Sequence, residues 1–192
     1  MADELATTFR GVDFLRWAGE TNRRFDRIVG NPPYVSISRL PPSLRRTAAQ
    51  VHDIDNAAIG YGANVWYAFV LVSLRLLKAG GSLAFVLPSA VEFSDYSAAV
   101  RATVRSKFAR LELYTCKRPL FSEVKEGTVV AIARDFESQP FRVLRRRFDA
   151  PHDLMNGLAR GQRLNGRRCP SKNEECSEGT VRFSSIAHKR WL

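Results

Sequence analysis

The stretch Val65 to Lys78, VWYAFVLVSLRLLK, is apolar on nearly every side for two turns and ends on a basic residue. A helix that is hydrophobic all round has to be buried. A strand candidate stands on each side of it, the compact Phe25 to Gly30 (FDRIVG) with its apolar pair Ile28-Val29 before and the continuous apolar Ser82 to Leu87 (SLAFVL) after. Two compact strands with a buried helix between them make a βαβ unit, and a βαβ unit makes a parallel sheet covered on both faces. The spacing therefore predicts an α/β fold, with Lys78 on the C-terminal dipole of the helix, Gly80-Gly81 as its stop and Pro88 cutting the second strand.

The other segments fit that frame. Val12 to Trp17 reads as a strand end running into a short helix or loop. Residues 36–64 are a long polar excursion with Pro41-Pro42, Gly60 and Gly62, carrying one short helix near Ser43 to Val51. A loop of that length in a small domain is usually functional or mobile. Asp95 to Lys107 predicts an amphipathic helix, and Ala109 to Cys116 and Gly127 to Phe136 predict strands. Phe141 to Phe148 predicts an edge strand with its arginines turned to solvent. Past Ala150 the apolar periodicity fades. Residues 1–150 are accordingly read as one domain and 151–192 as an irregular basic segment.

Lys and Arg number 30 against 19 Asp and Glu, a formal charge of +11. Such an excess favours a polyanion partner, because cations that neutralise phosphates release counterions. Arg142, Arg145, Arg146 and Arg147 form the densest candidate phosphate contact, although a charged strand edge also serves to block aggregation. The three cysteines, Cys116, Cys169 and Cys176, are odd in number and widely spaced, which suits a reducing cytoplasm. Without a C-x-x-C pair, Cys169, Cys176 and His188 make no metal site. No apolar run is long enough to span a bilayer. His52, His152 and His188 lack a partner constellation, Trp66 and Tyr67 read as core, and Asp53 and Asp55 as solvated loop charge. Glu92, Asp95 and Tyr96 read as loop and helix cap.

The first strand ends in Asn31, Pro32, Pro33 and Tyr34. Ligands of open α/β sheets sit beyond the carboxyl ends of the strands. There Asn31 offers a carbonyl acceptor, and the two prolines offer backbone carbonyls with no N–H, held at fixed φ. Tyr34 offers a flat ring. The set suits a planar group carrying an NH₂. Two acceptors that pull its hydrogens out of the conjugated plane free the nitrogen lone pair for attack. Stacking adds about 1–3 kcal/mol. A proline-rich turn closing a strand is the plainer alternative.

From about Val12 to Phe136 the sequence resembles the N6-adenine DNA methyltransferases of restriction–modification systems. NPPY after a strand resembles their catalytic motif, VDFLRW their acidic motif before it, and LFSEVKEGTVVAIARDF their late motif. The resemblance implies a Rossmann-like class I methyltransferase fold, the C-terminal part of a mixed, mostly parallel sheet, with S-adenosylmethionine as cofactor. It implies that Asn31 and the Pro32 carbonyl hold the amino group. It further implies that Tyr34 stacks on a flipped adenine, Phe121 closes the pocket, and Asp13 and Phe14 meet the cofactor's adenine. Base extrusion from double-stranded DNA costs about a few kcal/mol.

The family's glycine-rich cofactor turn belongs upstream of Asp13, where only twelve residues stand. Gly60-Tyr61-Gly62 follows a loop and not a strand, so it does not replace that turn. The expectation is a catalytic middle that needs an N-terminal cofactor-binding segment and a C-terminal target-recognition domain or specificity subunit. Alone it is expected to be inactive and to bind cofactor weakly. Two other functions suit the same residues: a methyltransferase acting on RNA or a protein glutamine, and a non-catalytic basic module that binds nucleic acid.

Overall fold

The computed structural model describes residues 12–94, 97–121, 127–164 and 180–183. Asp13 starts the first helix, α1 (Phe14–Glu20), by accepting a hydrogen bond on Oδ1 from the Arg16 N–H at 2.8 Å. Val12 to Trp17 is thus a helix start and not a strand end. Strand β1 (Phe25–Gly30) follows, then helix α2 (Pro42–Ala49) within the long excursion, then α3 (Val65–Arg75). Nine of the eleven residues of α3 are buried. At about 1.5–3 kcal/mol for each large apolar side chain, this helix anchors the core.

The helix stops three residues before Lys78. Leu77 opens strand β2 (Leu77–Pro88) opposite Phe25, and the Leu76 carbonyl accepts from the Phe25 N–H at 2.7 Å. Pairing with β1 and the burial of Leu76 and Leu77 pull the chain out of the helix. Lys78 therefore faces Asp26, at 3.0 Å, and Arg75 occupies the last helical turn. Gly80 and Gly81 form a bulge, not a helix stop. Gly80 has φ +74°, and a Cβ on Gly81 would lie 2.7 Å from the Lys78 carbonyl oxygen.

Helix α4 (Ala98–Lys107) begins later than the sequence predicts; Asp95 and Tyr96 lie outside the described residues. Strands β3 (Phe108–Cys116), β4 (Thr128–Phe136) and β5 (Arg142–Phe148) complete the alternation. Past Ala150 the described residues, 151–164 and 180–183, contain more order than the fading periodicity suggests. Helix α5 (Pro151–Leu164) starts on a proline, and the Asp153 carboxylate reaches back to accept from the Ala150 N–H at 3.2 Å, half of a capping box. Strand β6 (Thr180–Phe183) pairs in parallel with β1.

The sheet runs β5-β3-β4-β2-β1-β6 and is mixed. The β1–β2, β1–β6 and β3–β5 pairs are parallel, and β4 is antiparallel to both its neighbours. Leu111 and Leu113 face α4, whereas Tyr114 on the opposite face stacks on Phe148. Gly157 of α5 lies against the Phe148 ring, where a Cβ would come within 2.6 Å. Helices thus cover both faces. Among the described residues no helix is long and apolar enough to cross a membrane.

Candidate active site

β1 and β2 run parallel, and β3 runs in the same sense because β4 is antiparallel to both β2 and β3. Their carboxyl ends therefore share one edge of the sheet. Asn31 to Tyr34 follow β1 at that edge, Ser89 to Glu92 form a 3-10 turn after β2, and Phe121 lies past the end of β3. α1 leads directly into β1, with Trp17 6.4 Å from Phe25 and Phe14 4.7 Å from Phe69.

Pro32 is buried, while Asn31, Pro33 and Tyr34 are half-buried. The Tyr34 ring packs against the core. Among the described residues the Asn31 side chain has no hydrogen-bond partner, so the fold does not consume its amide. The next residues are pinned to the start of α3. The Val35 carbonyl accepts from Val65 N–H at 2.8 Å, Ser36 pairs with Asn64, and Ile37 N–H donates to the Ala63 carbonyl at 2.9 Å. Asn64 caps α3 by accepting from the Trp66 N–H. The rim after β1 is thus held by a short antiparallel ribbon and points along the same edge as a helix N-terminus.

The remaining candidates fall as follows. Phe121 is 41% exposed. Phe14 is buried, with its ring against Phe69 and Trp17. Strand alternation divides the arginines of β5: Arg145 forms an ion pair with Glu92 at 3.2 Å, and Arg142 and Arg146 lie on the other side of the strand. Asp53 organises its loop, accepting on Oδ1 from the Asp55 and Ala57 N–H groups at 3.0 Å each. Tyr67 is core, and burial, then the charges of Asp53 and Asp55, push its phenol up. His152 meets Asp153 at 3.0 Å. Among the described residues no group of His, Cys, Asp and Glu is placed to hold a metal, and Cys169, Cys176 and His188 lie outside them.

Several polar contacts escape sequence reasoning. Glu112 sits on the interior of β3 and accepts from Tyr114 OH at 2.8 Å and Arg134 Nε at 3.0 Å, with Arg110 Nε 3.2 Å away. Burial pushes its carboxyl up, but the bonds from Arg134 and Tyr114 and the two positive charges win, and it titrates below the usual range. After β2 the buried Ser97 hydroxyl donates to the Val91 carbonyl at 3.1 Å and accepts from Arg101 at 2.8 Å. An apolar cavity of about 290 Å³ lies between α4 and the sheet, walled by Phe85, Leu113 and Val104. A second cavity of about 280 Å³ lies on the excursion after Tyr34, walled by Ser38, Pro42, Arg45, Arg46 and Tyr61. Neither is lined by Asn31 or Tyr34.

Residues 2–117 match the model of the Eco57I restriction-modification methylase family. The chain is 32% identical over 106 residues to the type II methyltransferase M.TthHB8I of Thermus thermophilus, covering 54% of this chain and 24% of that protein. It thus spans about a quarter of the length of this curated relative. Among solved structures it is similar to the methyltransferase subunit of a type I restriction–modification system from Streptococcus thermophilus. The TM-score is 0.55 at 18% identity, over 79% of this chain and 35% of that one. It is also similar to the type IIG restriction endonuclease BpuSI, with TM-score 0.53 at 23% identity, over 85% of this chain and 19% of that one.

The fold is that of the class I methyltransferases. Within that class, the chain belongs to the Eco57I restriction-modification methylase family.

S-adenosylmethionine is the cofactor that goes with the family. The described residues fit it in part. Asp13 retains a carboxylate oxygen not used in capping, but Phe14 is largely occupied by its aromatic neighbours. Gly60 and Gly62 lie in a loop and Gly80 and Gly81 in the bulge of β2, so none of them opens a helix after a strand. Among the described residues these glycines make no turn for the donor.

Proposed function

We propose that this chain carries the acceptor half of a DNA methylase that acts on the N6 amino group of an extruded adenine. The observation that carries the reading is the half-buried Asn31 amide, unused by the fold, at the carboxyl end of β1. It is followed by two prolines and an aromatic ring held against the core. In this reading the Asn31 side-chain oxygen and the Pro32 carbonyl accept the two amine hydrogens. They bias the nitrogen toward a pyramidal geometry in which its lone pair is free. Tyr34 stacks on the base and Phe121 closes on it from the end of β3. The donor, when bound, supplies an electrophilic methyl group. Double-stranded DNA is the substrate that suits the charge of +11, and its phosphates meet the exposed arginines Arg142, Arg146 and Arg147.

The test is methyl transfer from labelled S-adenosylmethionine to duplex DNA. It uses this chain mixed with a separately produced cofactor-binding half of a family member, and the products are resolved by nucleoside mass spectrometry. N6-methyladenine is the expected product, and Asn31→Ala abolishes it while leaving retention on DNA within about twofold. Label on RNA or on a protein glutamine would replace the substrate. Undiminished transfer by Asn31→Ala would remove the proposal.

A further inference from the structure

The cavity on the excursion is built from three pieces of chain that the fold ties to the rim. Ser38 lies four residues past Tyr34, at most about 14 Å along an extended chain. Tyr61 lies two residues before Ala63, whose carbonyl holds Ile37. Arg45 and Arg46 come from α2, and the end of α2 is joined to the Tyr61 turn by the Gly60 N–H donating to the Ala49 carbonyl at 3.1 Å. Gly60, at φ +73°, turns the chain and leaves Tyr61 55% exposed. Two guanidinium groups and no carboxylate line the space.

Arg45 is partly committed, donating from Nε and a terminal nitrogen to the Leu40 carbonyl at 3.1 and 2.9 Å. That bond fixes its position and keeps its charge beside the cavity. Arg46 is exposed and makes no side-chain hydrogen bond or ion pair among the described residues. The volume, about 280 Å³, is at the low end for small-molecule sites, so it suits one ring and one phosphate. An exposed aromatic face next to free positive charge is how single strands are held without base-edge reading.

We infer that this cavity binds one nucleotide of the DNA strand close to the extruded base. Tyr61 stacks on its base and Arg46 neutralises its phosphate. The inference rests on the proposed DNA substrate and concerns binding, not transfer. In a stacked strand successive nucleotides advance about 3.4 Å, so the reach from Tyr34 addresses a nucleotide within about four positions of the target.

The test is fluorescence anisotropy of a labelled 12-nucleotide DNA strand titrated with the chain at several salt concentrations. Tyr61→Ala is expected to weaken binding at least fivefold with an unchanged salt slope, and Tyr61→Phe to stay within twofold of the parent. Arg46→Ala is expected to weaken binding and lower the slope by about 0.7, the value of one phosphate on a single strand. Tyr61 and Arg46 are exposed, so both variants fold, and Arg23→Ala, an exposed arginine on the turn before β1, is the control. If Tyr61→Ala and Arg46→Ala do no more than Arg23→Ala, the inference fails. An RNA strand of the same sequence binding more than tenfold tighter would overturn the DNA assignment. Strand binding and methyl transfer are read separately, so a failure of methyl transfer alone removes the catalytic reading and leaves the nucleotide site standing.

Discussion

A single carboxylate, Glu112, shows how much one residue of this protein decides. It ties β3 to β4 through Arg134, with Tyr114 and Arg110 of its own strand beside it, in the interior of the sheet. Glu112→Gln leaves two guanidinium groups without their counter-charge, and it is expected to cost about 3 kcal/mol at neutral pH in urea unfolding. The folded carboxyl titrates below its unfolded value. Its stabilising contribution is therefore complete above the ordinary carboxylate range and is lost as pH falls through the folded value. Thermal unfolding from pH 6 to 3 should show the parent converging on Glu112→Gln at the acid end. Sequence alone did not disclose this group, because ELY on an alternating strand leaves open which face is buried. The position of Asn31 was legible, since a six-residue strand with the apolar pair Ile28-Val29, ending in Gly-Asn-Pro-Pro, leaves the amide nowhere but the sheet edge. What the sequence left out is Tyr61: its exposure depends on the Gly60 turn and on the tie to α2, both long-range.

At the scale of elements, the βαβ unit was readable because α3 is apolar on all sides, a pattern that burial alone permits. Its end was not. Propensity carries the helix through Lys78, and pairing of Leu77 with Phe25 overrides it. Gly81→Ala probes that junction. The added methyl would meet two backbone carbonyl oxygens, of Lys78 and Asp26, neither of which moves cheaply. A loss of about 1–3 kcal/mol in chemical denaturation is expected. A substitution as small in an open loop, Gly62→Ala, should change stability by less than about 0.5 kcal/mol. Helix α5 escaped the periodicity argument because Gly157 breaks its apolar stripe, yet that glycine is the point at which Phe148 fits.

For the molecule as a whole, the sheet carries Asn31 to Tyr34 at the end of β1 but, among the described residues, no glycine turn suited to a cofactor. Isothermal calorimetry with S-adenosylmethionine is expected to give no saturable binding below millimolar concentration. A micromolar dissociation constant would show that the described residues understate the cradle. The α/β architecture followed from the alternation of strands and helices, a global property of the pattern, and the class I assignment came with the family resemblance. The parallel β6 against β1 did not, because four residues carry too little pattern to announce a partner so distant in sequence.

The bulge in β2 has a consequence for length. Between Phe25 and Arg27 two steps of β1 are matched by five of β2, Leu77 to Ser82, and beyond that point the two strands advance in step to Gly30 and Phe85. The slack sits at the far end of the strand from Asn31. An inserted or deleted residue near Gly80 can be taken up there without turning Leu83, Phe85 and Leu87 inside out, whereas the same change after Ser82 would invert that side of the sheet. The strand is forgiving at its entrance and unforgiving at the end that frames the rim.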